Sequence, residues 1–418
     1  MNAFDSRVAA VVLAAVAATG AAGQELPPLT VVDSVTLEEA VERTLRVAPQ
    51  VVQARTSLGT ASFGTKQAYA AMLPSLSVST GASLSSSERY DPDTNLRVSG
   101  QSDSYSAGIS SSMDLFAGGR NLAAVRSARA TERAAEATLV TQRFAVALAA
   151  KQAFFAVLRA EELMELNRQR IAQAEEQLEA AERRLRVGSA TRSDVLRARL
   201  ELSNARQALL ESATQRRTAM YALGEAIGTP GAVAARGPAS LEPEPLAMSP
   251  AALRALMANE APTVLSALAD VRVAEAGVSQ SRAQYFPTIG VSGGYNWSNQ
   301  EFGLAQGLTS WSTRISLSYP LFNGLQREAA VDRANAQLTV AEARAQAAAR
   351  AAVAELEALL AALTLAEQQL AILEESVEVA REDYRVQQER YEHGTATILE
   401  LVSSQIALTQ AEYDLINA

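Results

Sequence analysis

The chain of 418 residues contains no cysteine and only one histidine, His393. The lack of cysteine excludes disulfide bonds and thiol nucleophiles, and it removes the acceptor for an N-terminal lipid anchor. With a single histidine, which lies next to a helix-ending glycine, the chain lacks the residues for zinc sites and for serine–histidine catalysis. The sequence therefore predicts no enzyme, no metal site and no cofactor.

Aromatic residues and positive charge are also scarce. Aromatic residues make up 5% of the chain, while alanine dominates tracts such as Ala343–Ala354, so thin helical layers are expected rather than a thick core. The formal net charge is −9, and arginine and glutamate alternate along the predicted helices without forming a basic stripe. This pattern excludes nucleic acid as a partner.

Long hydrophobic runs are absent as well. No internal segment reaches the roughly 18–20 apolar residues that a transmembrane helix needs. The N-terminal run Val8–Ala18 follows Arg7 and precedes small residues, and we interpret residues 1–23 as an export signal cleaved before Gln24. An exported chain of this kind would enter a membrane only as β-structure.

What the chain does contain is a long internal repeat. The spacing from Pro49 to Pro74 equals that from Pro262 to Pro287, and the spacing from Phe116 to Gly188 equals that from Phe322 to Gly394. Only the length of the stretch between these two spacings differs: the stretch from Pro74 to Phe116 in the first copy is longer than that from Pro287 to Phe322 in the second. Rigid elements keep their length and loops do not. We therefore predict two structural repeats, 24–228 and 251–418, joined by a proline-rich extended linker, 229–250.

Four segments alternate between apolar and small polar residues with a period of two. They are residues 75–87, 104–116, 288–299 and 311–320. One face carries leucine, isoleucine, valine and aromatic residues, and the other carries mainly serine, glycine and asparagine. This pattern is typical of strands in a transmembrane barrel, with lipid on one side and a wet lumen on the other. A pair of soluble amphipathic hairpins is the alternative.

The remainder of each repeat is predicted to be helical. The predicted helices are 49–71, 120–187 and 193–223 in the first repeat and 262–285, 325–393 and 398–418 in the second. The two long helices contain no proline and would each be roughly 100 Å long. Their apolar residues alternate spacings of three and four, which indicates a coiled-coil seam with the return helix. The last helix stops well short of its counterpart in the first repeat, which we interpret as truncation of the chain.

The order of short helix, hairpin, long helix, tip and return helix, present twice, resembles the TolC family of outer-membrane efflux and secretion channels. The residues that carry the resemblance are the tips 186–196 and 391–401 and the hairpin boundaries at 73–76 and 114–119, with their second-repeat partners. No single motif is decisive, but their order, duplication and equal spacing cover essentially everything after the predicted signal.

The resemblance implies a mainly α chain with transmembrane β-structure. Long antiparallel coiled-coil hairpins would form a periplasmic α-barrel, and four strands per chain would contribute to a trimeric 12-stranded β-barrel. The expected location is the outer membrane of a Gram-negative-type cell, with a large periplasmic portion. The implied partners are two further copies of the chain, outer-membrane lipid, a periplasmic adaptor protein and an inner-membrane pump of the RND or ABC type.

The implied function is that of an outer-membrane exit channel in a tripartite efflux or type I secretion system. Such a channel passively conducts small molecules or polypeptides from the pump to the exterior. A soluble periplasmic coiled-coil scaffold protein is the alternative from a different class.

The resemblance also assigns gating roles at the periplasmic tips. Asp194 and Tyr391 match members of a hydrogen-bond network that closes the tunnel, Ser193 stands where a hydroxyl is expected, and Glu400 matches an acidic position facing the pore. An ordinary helix cap at Asp194 and simple packing at Tyr391 are the structural alternatives.

Two further tip positions depart from the family pattern, and others are candidates for docking. Ala396 stands where the family has an arginine, for which Arg192 is a candidate replacement, and Ser403 replaces a second acidic residue. The residues expected to contact the adaptor are Val187, Gly188, Ser189, Ala190, Thr191, Gly394, Thr395, Ala396 and Thr397. The two glycines are also expected to be helix-terminating turn residues.

Overall fold

A computed structural model describes residues 31–91, 96–237, 246–301 and 307–418; the predicted signal, 1–23, lies outside these ranges. The elements in chain order are β1 (Val31–Val35), α1 (Leu37–Val47), α2 (Pro49–Ala70), β2 (Ser75–Asp91), β3 (Leu96–Ala117), α3 (Arg120–Arg186), α4 (Arg192–Ile227), β4 (Ala232–Ala235), α5 (Pro250–Glu260), α6 (Pro262–Arg282), β5 (Thr288–Asn299), β6 (Leu308–Ser318), α7 (Gln326–Glu392) and α8 (Ile398–Asn417).

Helices α3 and α7 form the long axis of the molecule, with 67 residues each, or about 100 Å. Each long helix packs against two shorter ones: α2 and α4 lie along α3, and α6 and α8 lie along α7. Helix α6 also packs on α3 and so joins the two repeats. None of the helices in the described ranges has an apolar stretch of the length that crossing a bilayer requires.

Alanine occupies half of the buried positions along the two long helices, in line with the thin helical layers expected from the sequence. Ala174 and Ala181 on α3 face Leu202, Ala205 and Ala198 on α4 in two small clusters. Small side chains let the two helix backbones approach closely, so that each hairpin is a thin two-helix layer.

Strands β2, β3, β5 and β6 form one antiparallel sheet in the order β2-β3-β5-β6. Its registers align one apolar row, Val78, Ile109, Tyr295 and Trp311, and one polar row on the opposite face, Ser77, Ser110, Gly294 and Ser312. The apolar row is 75%, 49%, 54% and 76% exposed, so nothing within the described chain covers it. Strands β2 and β6 are the edges, and neither has a second partner strand among the described residues.

The first hairpin is longer than the sequence pattern indicates. Strands β2 and β3 pair from Ser75 with Ser112 as far as Asp91 with Leu96, whereas the alternation predicts strands at 75–87 and 104–116. Charged residues after position 87 break the alternation in the sequence, although backbone pairing continues through them. This extension accounts for the unequal spacing of the two repeats, because β5 and β6 have only 12 and 11 residues.

The linker predicted to be extended contains a strand. Residues 232–235 form β4, which pairs in parallel with β1 near the start of the described chain. The two strands bury Val35, Ala232 and Val233 against Phe154 of α3 and Met220 of α4, and these residues belong to the largest of the apolar clusters among the described residues. The sequence predicts an extended linker here but did not indicate the strand, because so short a strand, whose partner lies at the far end of the first repeat, has no local pattern.

Two short helices were not predicted from the sequence. Helix α1 begins with a capping box in which the Thr36 hydroxyl accepts from the Glu39 amide and the Glu39 carboxylate accepts from the Thr36 amide. Helix α5 begins at Pro250, capped by the Ser249 hydroxyl. Both caps are sequence signals of a helix start.

The entry into the long helices differs between the repeats. Gly119 precedes α3 in the left-handed region with φ of 85°, and Leu325, its counterpart in the second repeat, precedes α7 with φ of 65°. Leu325 is the one non-glycine residue with positive φ among those described. A side chain in this conformation costs about 1–2 kcal/mol.

Candidate gating and docking site at the helical tips

The two tips have the same backbone turn. Gly188 and Gly394 both adopt φ of 76°, which ends α3 and α7. The amide of Ser189 donates to the Arg184 carbonyl at 2.9 Å, and the amide of Thr395 donates to the Arg390 carbonyl at 2.8 Å. The Ser189 and Thr395 hydroxyls donate to the same carbonyls, at 3.2 and 3.0 Å. These bonds satisfy helix-terminal carbonyls and hold both turns in one shape.

The return helices also begin alike, each with a capping box. The Asp194 carboxylate accepts from the Thr191 amide at 2.8 Å and from its hydroxyl at 2.9 Å, and the Glu400 carboxylate accepts from Thr397 at 2.7 and 2.9 Å. The two predicted gate carboxylates therefore bind their own helix ends in the single chain. The cap of α4 is Thr191, and the predicted gate residue Ser193 lies exposed in its first turn.

The charge of Glu400 is stabilised by this cap. Hydrogen bonds from the Thr397 amide and then its hydroxyl lower the pKa of Glu400, and Arg390 adds a smaller favourable charge. Glu400 and Ser403 line an open recess of about 390 Å³ between α7 and α8, together with Asp383 of α7. The recess therefore has two carboxylates from facing helices.

Arg184 connects the two tips. Its guanidinium donates to the backbone carbonyl of Tyr391 and lies over the Tyr391 ring, 4.3 Å from the centroid. A cation over an aromatic face is stabilised by about 1–2 kcal/mol when partly desolvated. At the tips, Arg184 of α3 thus makes the contact between the hairpins for which the sequence suggested Arg192, and Arg192 is exposed.

Tyr391 is buried in this contact. Only 6% of it is exposed, and it packs with Ile398, Leu401 and Val402 of α8. Its hydroxyl is buried without a hydrogen-bond partner among the described residues. Burial raises the pKa of Tyr391, the Arg184 charge opposes this effect, and the charge of Asp194 adds to it.

A second contact lies further along the same helices. Gln177 of α3 donates to the Tyr384 hydroxyl at 3.1 Å, and the sequence separation of this pair equals that of Arg184 and Tyr391. The two contacts are therefore one heptad apart and in the same register between α3 and α7. Nearby on α8, Gln405 is 1% exposed, and its amide has no partner among the described residues.

The residues expected to contact an adaptor form the outer surface of the tips. Val187 is 77% exposed. The exposed candidates are Gly188, Ser189, Thr191, Gly394, Thr395 and Thr397, and the half-buried ones are Ala190 and Ala396. The sequence did not indicate Arg184, because one arginine in an arginine-rich helix end gives no signal until the second hairpin is placed beside it.

Comparison with known families and proteins identifies relatives along most of the chain. The family described as "Outer membrane efflux protein" matches residues 40–229 and 253–418. The alkaline protease secretion protein AprF of Pseudomonas aeruginosa is 30% identical over 188 residues, which are 44% of this chain and 39% of AprF. Protein CyaE of Bordetella pertussis is 28% identical over 335 residues, 76% of this chain and 66% of CyaE.

A metal-resistance protein is also similar. The cobalt-zinc-cadmium resistance protein CzcC of Cupriavidus metallidurans is 29% identical over 175 residues, 42% of each chain. Across these three curated relatives, the matched part of the chain spans between 39% and 66% of the relative's length.

Solved structures have the same fold. The outer membrane protein VceC of Vibrio cholerae has a TM-score of 0.74 at 22% identity, covering 91% of this chain and 92% of VceC. CusC, described as forming a transmembrane channel, has a TM-score of 0.77 at 18% identity, covering 94% and 91%. These similarities confirm the predicted fold class.

Proposed function

The chain belongs to the outer membrane efflux protein family, which locates it in the outer membrane, and we propose that it is the exit channel of a tripartite efflux or type I secretion system. The channel conducts its cargo passively, and the pump in the inner membrane supplies the energy. The family is one of channel proteins, and the proposal includes no catalytic step.

The observation that carries the proposal is the four-stranded sheet with two different faces. One face is an uncovered apolar row through Ile109 and Tyr295, and the other is serine, glycine and asparagine. Apolar residues toward lipid and small polar residues toward water are what a channel wall needs. Because unpaired strand edges are not tolerated in hydrocarbon, β6 of one copy would pair with β2 of the next. Three copies would close a 12-stranded barrel in the outer membrane.

The long hairpins would then continue as a helical tunnel into the periplasm. Their exposed tips, 187–191 and 394–397, would contact a periplasmic adaptor that connects the channel to an RND or ABC pump. One relative is named for the secretion of an alkaline protease and another for resistance to cobalt, zinc and cadmium. We therefore propose the channel role without choosing a cargo.

We place the gate of this channel at the contact between the tips. Arg184 and Tyr391 hold the two hairpins of one copy together, with Asp194 close enough to act on Tyr391 through its charge. Ser193 and Glu400 lie in the first turns of the return helices, where they would meet the neighbouring copy. Opening of the gate would separate the hairpins of neighbouring copies from each other, or would break the contact of Arg184 with Tyr391 within one copy.

The test is the oligomeric state of the full chain, extracted from the outer membrane with mild detergent, together with two matched variants. Ile109→Arg places a charge on the apolar face and should cost about 2–4 kcal/mol near the bilayer centre, with loss of trimer. Ser110 is the next residue in the chain and lies on the opposite, polar face, so Ser110→Arg should leave the trimer intact. A soluble periplasmic monomer, or equal trimer yields from both variants, would contradict the proposal.

A further inference from the structure

A basic cleft lies between α3 and α6, immediately below the sheet. It has a volume of about 360 Å³, and its charged residues are Arg126, Arg129, Arg133, Arg272 and Glu275. The first three arginines lie within the first four turns of α3, which places them roughly 9–20 Å from the helix start that follows β3. The cleft thus borders the proposed membrane-spanning region.

Helical spacing builds this cleft. Arg126, Arg129 and Arg133 are spaced by three and then four positions and therefore lie on one face of α3. Arg272 of α6 completes the charged rim. The floor contains Ala130 of α3 and Ala276 of α6, both 4% exposed. Small residues in the floor and long cationic side chains at the rim make a recess that a compact anion fits.

The charge of the cleft is not neutralised within the described part of the chain. None of the four arginines has a carboxylate within ion-pair distance among the described residues, although the chain has a net charge of −9. Arg129 is oriented by the ring of Tyr69 on α2, whose centroid is 5.3 Å away. Glu275 is the one carboxylate in the lining, so the cleft has a net charge of three positive units.

The repeat provides an internal comparison. The positions on α7 that correspond to the three α3 arginines are Asp332, Asn335 and Thr339. The position on α2 that corresponds to Arg272 is Gly59. The same helices therefore form in the other repeat without any of the four arginines, and the fold itself does not require them.

We propose that this cleft is a binding site for a phosphate-bearing anion, either the headgroup of an anionic phospholipid or a free phosphate compound. Guanidinium groups bind phosphate oxygens through paired hydrogen bonds. Three or four of them around one recess suit a doubly charged phosphate as ligand better than they suit a ligand with a single carboxylate. The upper rim of the cleft, at Arg126, lies about 9 Å from the start of α3, so that a long arginine side chain there would reach the headgroup layer, which is about 5–8 Å thick on each side of the bilayer. This site is independent of conduction and of the gate.

The experiment uses the full chain in mild detergent and two probes. Inorganic phosphate is titrated calorimetrically into lipid-free protein, and native mass spectrometry counts the phosphatidylglycerol and phosphatidylcholine molecules that remain bound. The triple variant Arg129→Gln/Arg133→Gln/Arg272→Gln should weaken binding of whichever probe the wild type binds by at least tenfold. Glu275→Gln should tighten binding of the probe several-fold, because it removes the opposing charge from the cleft. As a single substitution, it also tests the site without requiring the fold to tolerate three changes.

The matched control is Arg333→Gln/Arg344→Gln/Arg350→Gln, which removes three exposed arginines of α7 and should leave the binding of both probes unchanged. Phosphate binding without lipid would identify a free anion as the ligand. Selective retention of phosphatidylglycerol over phosphatidylcholine, without phosphate binding, would identify a headgroup. If the wild type binds neither probe more tightly than the triple variant does, the proposal is overturned, whatever the oligomeric state.

Discussion

The tips of the two hairpins share a backbone and differ in what their side chains contact. Both turn at a glycine with φ of 76°, and both restart with a threonine cap and an acidic residue three positions later. The residue just before the last one of the long helix is Leu185 in the first hairpin, 38% exposed, and Tyr391 in the second, 6% exposed. Duplication has kept the turn and changed the contact surface.

The same difference extends to the charges between the paired helices. Glu175 on α3 pairs with Arg206 on α4 at 3.0 Å, and at the equivalent positions Arg381 on α7 pairs with Glu412 on α8 at 3.3 Å. The signs are reversed. The pair of Arg170 with Glu201 in the first hairpin is largely buried, and the equivalent positions in the second hairpin are uncharged. Backbone geometry is thus common to the repeats, while each hairpin has its own electrostatic pairing.

Breaking the buried pair should produce the largest difference between the hairpins. Arg170 and Glu201 are 2.5 Å apart and 19% and 7% exposed, so Glu201→Gln should destabilise the protein by about 2–3 kcal/mol by leaving Arg170 unpaired. The double variant Arg170→Ser/Glu201→Ala installs the residues of the second repeat and should recover most of this loss. Unfolding followed by helical circular dichroism measures both. A double variant that is no more stable than the single one would contradict the assignment.

Exchanging the tip residues tests whether the different burial of Leu185 and Tyr391 reflects a functional contact at the second tip. Tyr391→Leu installs the residue of the first tip and removes the ring beneath Arg184, which should cost about 1–2 kcal/mol and raise single-channel conductance. Tyr391→Phe keeps the ring and the carbonyl contact, so it is the matched control and should leave conductance close to that of the wild type. If both variants conduct alike, the ring–guanidinium contact does not gate.

Reversing the exposed ion pair should have a smaller effect. Glu175→Arg places like charges on α3 and α4 and should cost about 0.5–1 kcal/mol, because Arg206 and Glu175 are 60% and 52% exposed and screened by solvent. Adding Arg206→Glu gives the first hairpin the polarity of the second and should restore stability. High salt should shrink the effect of the single variant, and a loss that is insensitive to salt would point to a steric cause.

Acid should weaken the second tip through its cap, with the smallest effect. The pKa of Glu400 in the folded protein lies below its ordinary value of 4.5. The cap therefore contributes stability above pH 4.5, and this contribution is lost as the pH falls from 4.5 through the lowered pKa. Glu400→Gln should reduce the decline in unfolding temperature between about pH 6 and about pH 3. An identical decline in both proteins would exclude Glu400 as its source.

Much of this architecture follows from the sequence because its signals are local and repeated. The period-two segments before Gly118 and after Pro287 predict strands, and the proline-free stretches that end at Gly188 and Gly394 predict the long helices. The duplication makes each signal appear twice. The resemblance to the channel family is confirmed by the family match along most of the chain.

The features that the sequence did not predict depend on distant partners. Strand β4 is very short and exists because β1 lies beside it. Arg184 is one of several arginines at the end of α3, and only the placement of α7 shows that it meets Tyr391. A capping box and a gate need the same residue types at Asp194, so sequence alone does not separate the two roles.

The reversed signs of the two ion pairs have a consequence for how such a gene changes over time. Duplicated tracts within one gene exchange segments by recombination. A crossover inside a hairpin would place Glu175 opposite Glu412, or Arg381 opposite Arg206, whereas a crossover between hairpins leaves each pair intact. Like charges that face each other across a helix interface repel, so we expect chimeras of the first kind to be less stable. The segment that recombination can exchange without loss of stability is therefore expected to be the whole hairpin and not the single helix.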